Sequence, residues 1–198
     1  MKQTKSTIVT LHLILMIGFG ILHCTGTKNP LNKLSGTYTD VEPYPYGKAF
    51  GKRTFTFEKD KWTLDFTLSL DPMGNLKVFS FRTFGNYKML GESKIIPTAM
   101  DAIFYEDKKF LTVHTDNKDL LNAFRFSDCN LVLGQEKDIS ETGCSGWKSV
   151  SICNEDHDIV MMNEKGDIHF GERPLDNDMC SSEKRPIRLT PPVSKVDK

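Results

Sequence analysis

Little in this sequence could carry covalent chemistry. It has no Gly-x-Ser-x-Gly elbow, no Gly-rich phosphate loop, no His-Glu-x-x-His pair and no dinucleotide fingerprint. The chain is therefore expected not to be an enzyme and to need no cofactor. Histidine is scarce: there are five, and His12 and His23 fall within the first 24 residues. No two of the five cysteines lie two to four residues apart, so the spacing of a zinc site is missing and no metal is expected. Neither sign of charge dominates. The 26 Lys and Arg match the 26 Asp and Glu and are scattered, without the basic stripe of a nucleic-acid binder. Internal repeats and low-complexity stretches are absent too. The one long apolar run, Ile8 to Leu22, is broken by Thr10 and His12 and is short against the about 20 residues of a membrane span.

That run reads as an export signal. Lys2 and Lys5 form a basic leader, the apolar stretch follows, and Cys24 comes where lipid attachment would occur. Ile21 suits the third position before the cysteine, while His23 stands where a small residue is expected. The predicted organisation is a signal over residues 1–23, a lipidated Cys24 with a polar tether to Lys33, one domain over 34–189 and a flexible tail over 190–198. An ordinary cleaved signal or an uncleaved anchor would leave Cys24 incidental. The signal holds two of the basic residues and none of the acids, so the mature part is about two charges negative. The expected partners are a membrane, reached through the lipid, and an apolar small molecule. The expected location is the cell envelope, as an outer-membrane lipoprotein facing the periplasm or the surface. Cys129, Cys144, Cys153 and Cys180 then remain, an even number in an exported chain. Two disulfides follow, in any of three pairings.

The mature part reads as antiparallel β structure. From Trp62 to Leu70 five apolar residues alternate strictly with polar ones, placing one face on a core and the other in water. Arg53 to Phe57 does the same across a hairpin at Glu58-Lys59-Asp60. Leu76 to Phe84 follows the Asp71 to Asn75 turn, and its alternation slips at Val78-Phe79, which predicts a bulge. Gly85-Asn86 reads as a tight turn before a strand from Tyr87 to Ile96. Further strands are predicted over Ala102–Tyr105 and Phe110–His114 with a turn at Glu106-Asp107-Lys108, at Leu131–Leu133, and as a hairpin of Ile159–Met162 with Asp167–Phe170. Asp116 to Phe126 carries helical spacing, with Asp116 or Asn117 as cap.

Strand after strand with short turns predicts an all-β fold, an antiparallel lipocalin-like barrel with one short helix. A barrel disposes of its edges and encloses what its side chains do not fill. The alternating aromatics could be plain core. They could also line an apolar cavity, and the lining would then be Trp62, Leu64, Phe66, Phe79 and Phe81, with Tyr87 and Met89 beside them. Each buried CH₂ of a ligand would add about 0.8 kcal/mol, so an acyl chain could bind by transfer alone. A solid core with binding loops at Tyr44-Pro45-Tyr46 and Gln135 to Trp147 is the rival. Asp156-His157-Asp158 reads as a solvated turn, and Lys184-Arg185 with Arg188 as a basic surface patch.

Several short segments together resemble the extracellular domain of the adenomatosis-polyposis-coli-down-regulated proteins and their bacterial lipoprotein relatives. They are Leu34-Ser35-Gly36-Thr37-Tyr38, Arg53 to Phe57, Asn86-Tyr87 with Gly91-Glu92-Ser93, Gly143-Cys144 with Trp147, Cys153, Ile168 to Gly171 with Arg173-Pro174, and Lys184-Arg185-Pro186 with Leu189. The resemblance implies a lipocalin-like barrel with disulfides, no enzymatic activity and an apolar cavity that holds a lipid. Gly36-x-Tyr38 also resembles the start of the lipocalins, which implies an arginine, Arg173 or Arg185, stacked over the aromatic Tyr38 at the barrel floor. Tyr38 replaces the family's tryptophan, and Glu42 to Gly47 replaces a cysteine-bearing segment.

Overall fold

The computed structural model describes residues 29–196. The predicted signal and Cys24 lie outside the described residues. The described residues open with a 3₁₀ turn, Pro30–Lys33, capped by the Asn29 side chain, which accepts from the Leu31 amide at 3.0 Å. Leu31 and Leu34 are both buried. The tether predicted as far as Lys33 is therefore shorter, because two leucines spaced to point one way anchor this turn in the core.

The strands are β1 (Gly36–Thr39), β2 (Tyr44–Tyr46), β3 (Ala49–Glu58), β4 (Lys61–Ser69), β5 (Lys77–Glu92), β6 (Met100–Tyr105), β7 (Lys108–Val113), β8 (Lys137–Asp138), β9 (Glu155–Met162), β10 (Ile168–Phe170) and β11 (Ser194–Lys195). All pairings are antiparallel, in the order β10-β9-β6-β5-β4-β3-β1-β11. The path nearly closes on itself through the chain's end. Ile168 in β10 and Val193, just ahead of β11, exchange amide bonds of 2.9 and 2.8 Å. Among the described residues the fold is thus the predicted all-β antiparallel barrel, nearly closed, with one short α-helix, α1 (Lys118–Ala123), capped by Asn117.

Four local expectations are corrected. Gly85-Asn86 is not a turn, and β5 runs straight through it. A Cβ on Gly85 would lie 2.1 Å from the Tyr105 carbonyl oxygen, so the glycine is there for close approach of two backbones. Glu106-Asp107 is not a hairpin turn either. β6 pairs with residues 87–92 of β5 and β7 with residues 79–84, so the two form one line along β5, broken by a two-residue kink opposite Gly85. At that kink the line changes its other neighbour from β9 to β8. Leu131–Leu133 forms no strand: Leu131 packs against the second core cluster described below, while Val132 and Leu133 are exposed in a turn. Nor is the stretch from Thr190 to Val196 a flexible tail. It completes the barrel through main-chain hydrogen bonds, which its polar composition does not advertise. The predicted bulge is present: β4 and β5 pair Leu68 with Phe79 and Ser69 with Lys77, leaving Val78 as the extra residue.

Two disulfides, Cys129–Cys144 and Cys153–Cys180, select one of the three pairings. They fit a protein that lives outside a reducing cytoplasm. Cys129–Cys144 ties the region after α1 to the loop that carries Trp147.

Candidate functional site

The inward face of the barrel continues across strands in register. Phe57 pairs with Trp62, Phe55 with Leu64, Arg53 with Phe66, Phe66 with Phe81, and Leu68 with Phe79. Every predicted lining residue is on this face, but the seven divide between two clusters. Trp62, Leu64, Tyr87 and Met89 join one that is built around Phe55, Phe57, Phe104 and Phe170. Phe66, Phe79 and Phe81 join another that is covered by Phe126, Trp147 and residues of α1. The rings pack on one another rather than around a void. Phe55 and Phe170 stack at 3.9 Å, Trp62 and Phe104 meet edge-on at 4.8 Å, and Phe81 stacks on Trp147 at 4.9 Å. The Trp62 indole N–H donates to the Tyr105 carbonyl at 2.9 Å. The predicted binding loop Gln135 to Trp147 therefore has its apolar residues Ile139 and Trp147 turned inward.

Between the clusters runs a belt of charge. Arg53 follows Phe55 in the inward alternation of β3. Its guanidinium donates to both Asp40 carboxylate oxygens at 2.6 and 3.0 Å, to Thr190 Oγ1 at 2.5 Å and to the Pro191 carbonyl at 2.8 Å, and it lies 4.3 Å from the Tyr44 ring centroid. Farther round, Lys109 Nζ donates to Glu106 at 2.7 Å and to the carbonyls of Cys153 and Lys148 at 2.8 and 3.1 Å. Arg173 grips Asp156 with two nitrogens at 2.6 and 3.3 Å and Asn177 with Nε at 2.6 Å. Asp158 Oδ1 accepts from the amides of Ile159 and Gly171 at 2.7 and 2.9 Å. A cavity of about 10 Å³ opens among Glu106, Lys109, Asp156, Arg173 and Trp147, room for about one water.

The charge triplet is the main surprise of the site. Asp156-His157-Asp158 is not a solvated turn but the start of β9. Phe104 pairs with Asp156, Ala102 with Asp158 and Met100 with Val160. Phe104, Ala102 and Met100 face the core, so both aspartates do as well, and only His157 points away. The parity with Val160 was the available signal. The charge of the triplet masks that signal, because charged residues ahead of an apolar strand ordinarily face solvent. The expected arginine over Tyr38 is also replaced. Lys195 Nζ lies 5.7 Å from that ring, Arg173 serves Asp156, and Arg185 lies outside the barrel, donating to the carbonyls of Ala102 and Asp158. Lys184 pairs with Asp178 and Arg188 with Glu172, so the predicted basic patch is largely neutralised.

Burial shapes the titration of the belt. It pushes Glu106 up to about 7, helped by the Asp156 carboxylate and opposed by Lys109. It pushes Asp158 up to about 7 against the two amides that favour its charge. Burial also raises the Tyr44 hydroxyl to about 12. It works against the Arg173 charge, but the neighbouring Asp156 carboxylate outweighs it and holds that guanidinium above its ordinary value. Lys109 spends all three donors and Arg173 bonds through all three nitrogens, so the belt's cations are committed to holding strands and loops together.

A pH dependence follows, with a definite sign. Both carboxyls keep a proton in the folded chain at pH values where the unfolded chain has released it. Their contribution is complete below about pH 4 and is lost as the pH rises to about 7. Asp138, held down to about 2 by hydrogen bonds from Ser140 and Lys108, and Asp178, held low by Lys148 and Lys184, act oppositely and lose their contribution in acid. The melting temperature is expected to peak near pH 4 and fall towards pH 8. The loss in unfolding free energy should be on the order of a few kcal/mol. Glu106→Gln with Asp158→Asn should flatten that limb in thermal melts across pH. An unchanged slope in the double variant would remove these carboxyls as its cause.

Comparison with known proteins found no family whose model matches this chain and no curated protein similar to it. The site therefore rests on its own geometry.

Proposed function

We propose that this chain is a non-enzymatic envelope lipoprotein, tethered through Cys24, whose barrel interior is structural and whose loops at the end away from the tether bind a partner protein. The observation that carries the reading is the filled interior, with ring against ring in both clusters and a committed charge belt between them. The exposed large apolar side chains of the far end sit on loops. Met73 and Leu76 crown the β4–β5 turn, with Val132 and Leu133 beyond α1. Tyr46 on β2 is also exposed, as the rival loop reading expected, and packs 5.6 Å from Phe66.

A second reading keeps the apolar ligand implied by the resemblance to the down-regulated protein family. It is favoured by one observation: Leu64, Tyr87, Met89 and Met162 pack on the first cluster yet stay partly exposed. Two measurements separate the readings. Titration of the purified protein with a fluorescent fatty acid is expected to show no saturable binding. Photo-crosslinkers placed at Tyr46 and Met73 in intact cells are expected to trap a partner that crosslinkers at Leu64 and Met89 do not. Saturable fatty-acid binding that Leu64→Trp abolishes would instead establish the ligand reading.

A further inference from the structure

We propose that the end of the barrel formed by the β5–β6 and β9–β10 hairpins rests on the bilayer that holds the N-terminus, with Leu90 and Ile95 entering its interfacial layer. The inference rests on the reading of Cys24 as a membrane anchor.

The topology fixes which end this is. β5 begins beside the Asp71–Asn75 turn and ends at Glu92, beside the loop of residues 93–99. β6 pairs Met100 with Val160, so the β9–β10 loop, residues 163–167, flanks that same end. The described chain begins there too. Leu31 and Leu34 plug the first cluster beside Met100 and Met162, and the Leu34 amide donates to the Tyr87 hydroxyl at 3.1 Å. From Cys24 to Asn29 the chain spans at most about 17 Å. The nine residues of β4 alone cover about 30 Å. A lipid on Cys24 therefore keeps the hairpin end near the bilayer and holds the Met73 turn away from it.

That end is built for an apolar contact. Leu90 and Ile95 are 47% and 50% exposed, with Pro97 exposed beside them. The loop is held in shape rather than left slack. The Ser93 amide donates to the Ala99 carbonyl at 2.9 Å, Ser93 Oγ accepts from the Ile95 amide at 3.2 Å, and the Ala99 amide donates to the Ile96 carbonyl at 3.2 Å. Thr98 sits at φ +68°, a conformation that costs a β-branched residue energy and is retained when the surrounding structure imposes it. Lys88, Lys94 and Lys165 are matched in number by Glu92, Glu164 and Asp167, so the contact is one of apolar insertion rather than of charge.

The test uses the full lipidated chain in vesicles of phosphatidylcholine brominated on its acyl chains. Ile95→Trp and Met73→Trp are compared with the parent, whose own tryptophans set the background. The expected result is added emission from Ile95→Trp that the bromines quench, and added emission from Met73→Trp that they leave intact. Quenching at Met73→Trp, or at neither, with the protein bound to the vesicles overturns the hairpin-down orientation. Protein that stays in solution instead of partitioning with the vesicles overturns the anchor reading, and this inference with it.

Discussion

Arg53→Met is expected to destabilise the folded chain by about 3–5 kcal/mol, the cost of leaving a buried charge without its partner. Asp40 is 2% exposed and its carboxylate takes both of its strong side-chain bonds from this guanidinium. Removing Arg53 leaves Asp40 with the Arg53 main-chain amide at 2.6 Å and no counter-charge. The loss reaches the barrel seam as well, because Thr190 Oγ1 and the Pro191 carbonyl are its other acceptors and stand only two or three residues from the Val193 closure. Denaturant titration measures the change. The companion double variant Arg53→Met with Asp40→Leu should recover a substantial part of it, since an apolar pair of similar volume avoids the stranded charge. A loss below about 1 kcal/mol in the single variant would mean that water reaches this ion pair and that the belt is not part of the closed interior.

Reduction of the disulfides is expected to lower the melting temperature by roughly 10–40 °C, from a cost of about 2–5 kcal/mol for each of the two native bridges and about 2–4 °C per kcal/mol for a domain of this size. The bridges close loops of 15 and 27 residues, and the longer should restrict the unfolded chain more. Their local consequences differ. Cys129–Cys144 holds the loop whose Trp147 covers Phe79 and Phe81, so Cys129→Ala with Cys144→Ala should expose that indole and red-shift its emission. Cys153–Cys180 borders the small cavity, and the Cys153 carbonyl accepts from Lys109. Its loss should chiefly alter the pH dependence set by Glu106. Melting curves that coincide with and without reductant would mean the four thiols are unpaired in the protein.

Much of the fold was legible because β-structure writes itself into a two-residue period. The strict alternation of Trp62, Leu64, Phe66 and Leu68 gave β4 and its inward face, and the slip at Val78-Phe79 gave the bulge. The seven proposed lining residues all belong to or pack on the two core clusters. What failed did so for one shared reason, that local composition carries no information about a distant partner. Gly85-Asn86 looks like a turn because glycine serves turns, yet here it makes room for the Tyr105 backbone. Thr190 to Val196 looks like a fraying end because its partners, Ile168 and β1, lie far off in sequence. Asp156 and Asp158 look solvated because Arg173 and the Gly171 amide cannot be seen from their neighbours.

By itself, the order of side chains determined an antiparallel barrel, its inward face and an even set of cysteines, since periodicity and count are local properties that need no partner to be read. Whether that barrel is hollow, how its cysteines pair and where its charges lie were decided only in three dimensions. Ring meets ring across the interior, and the buried Arg53 and Asp156 each meet their opposite charge from a segment well separated in sequence.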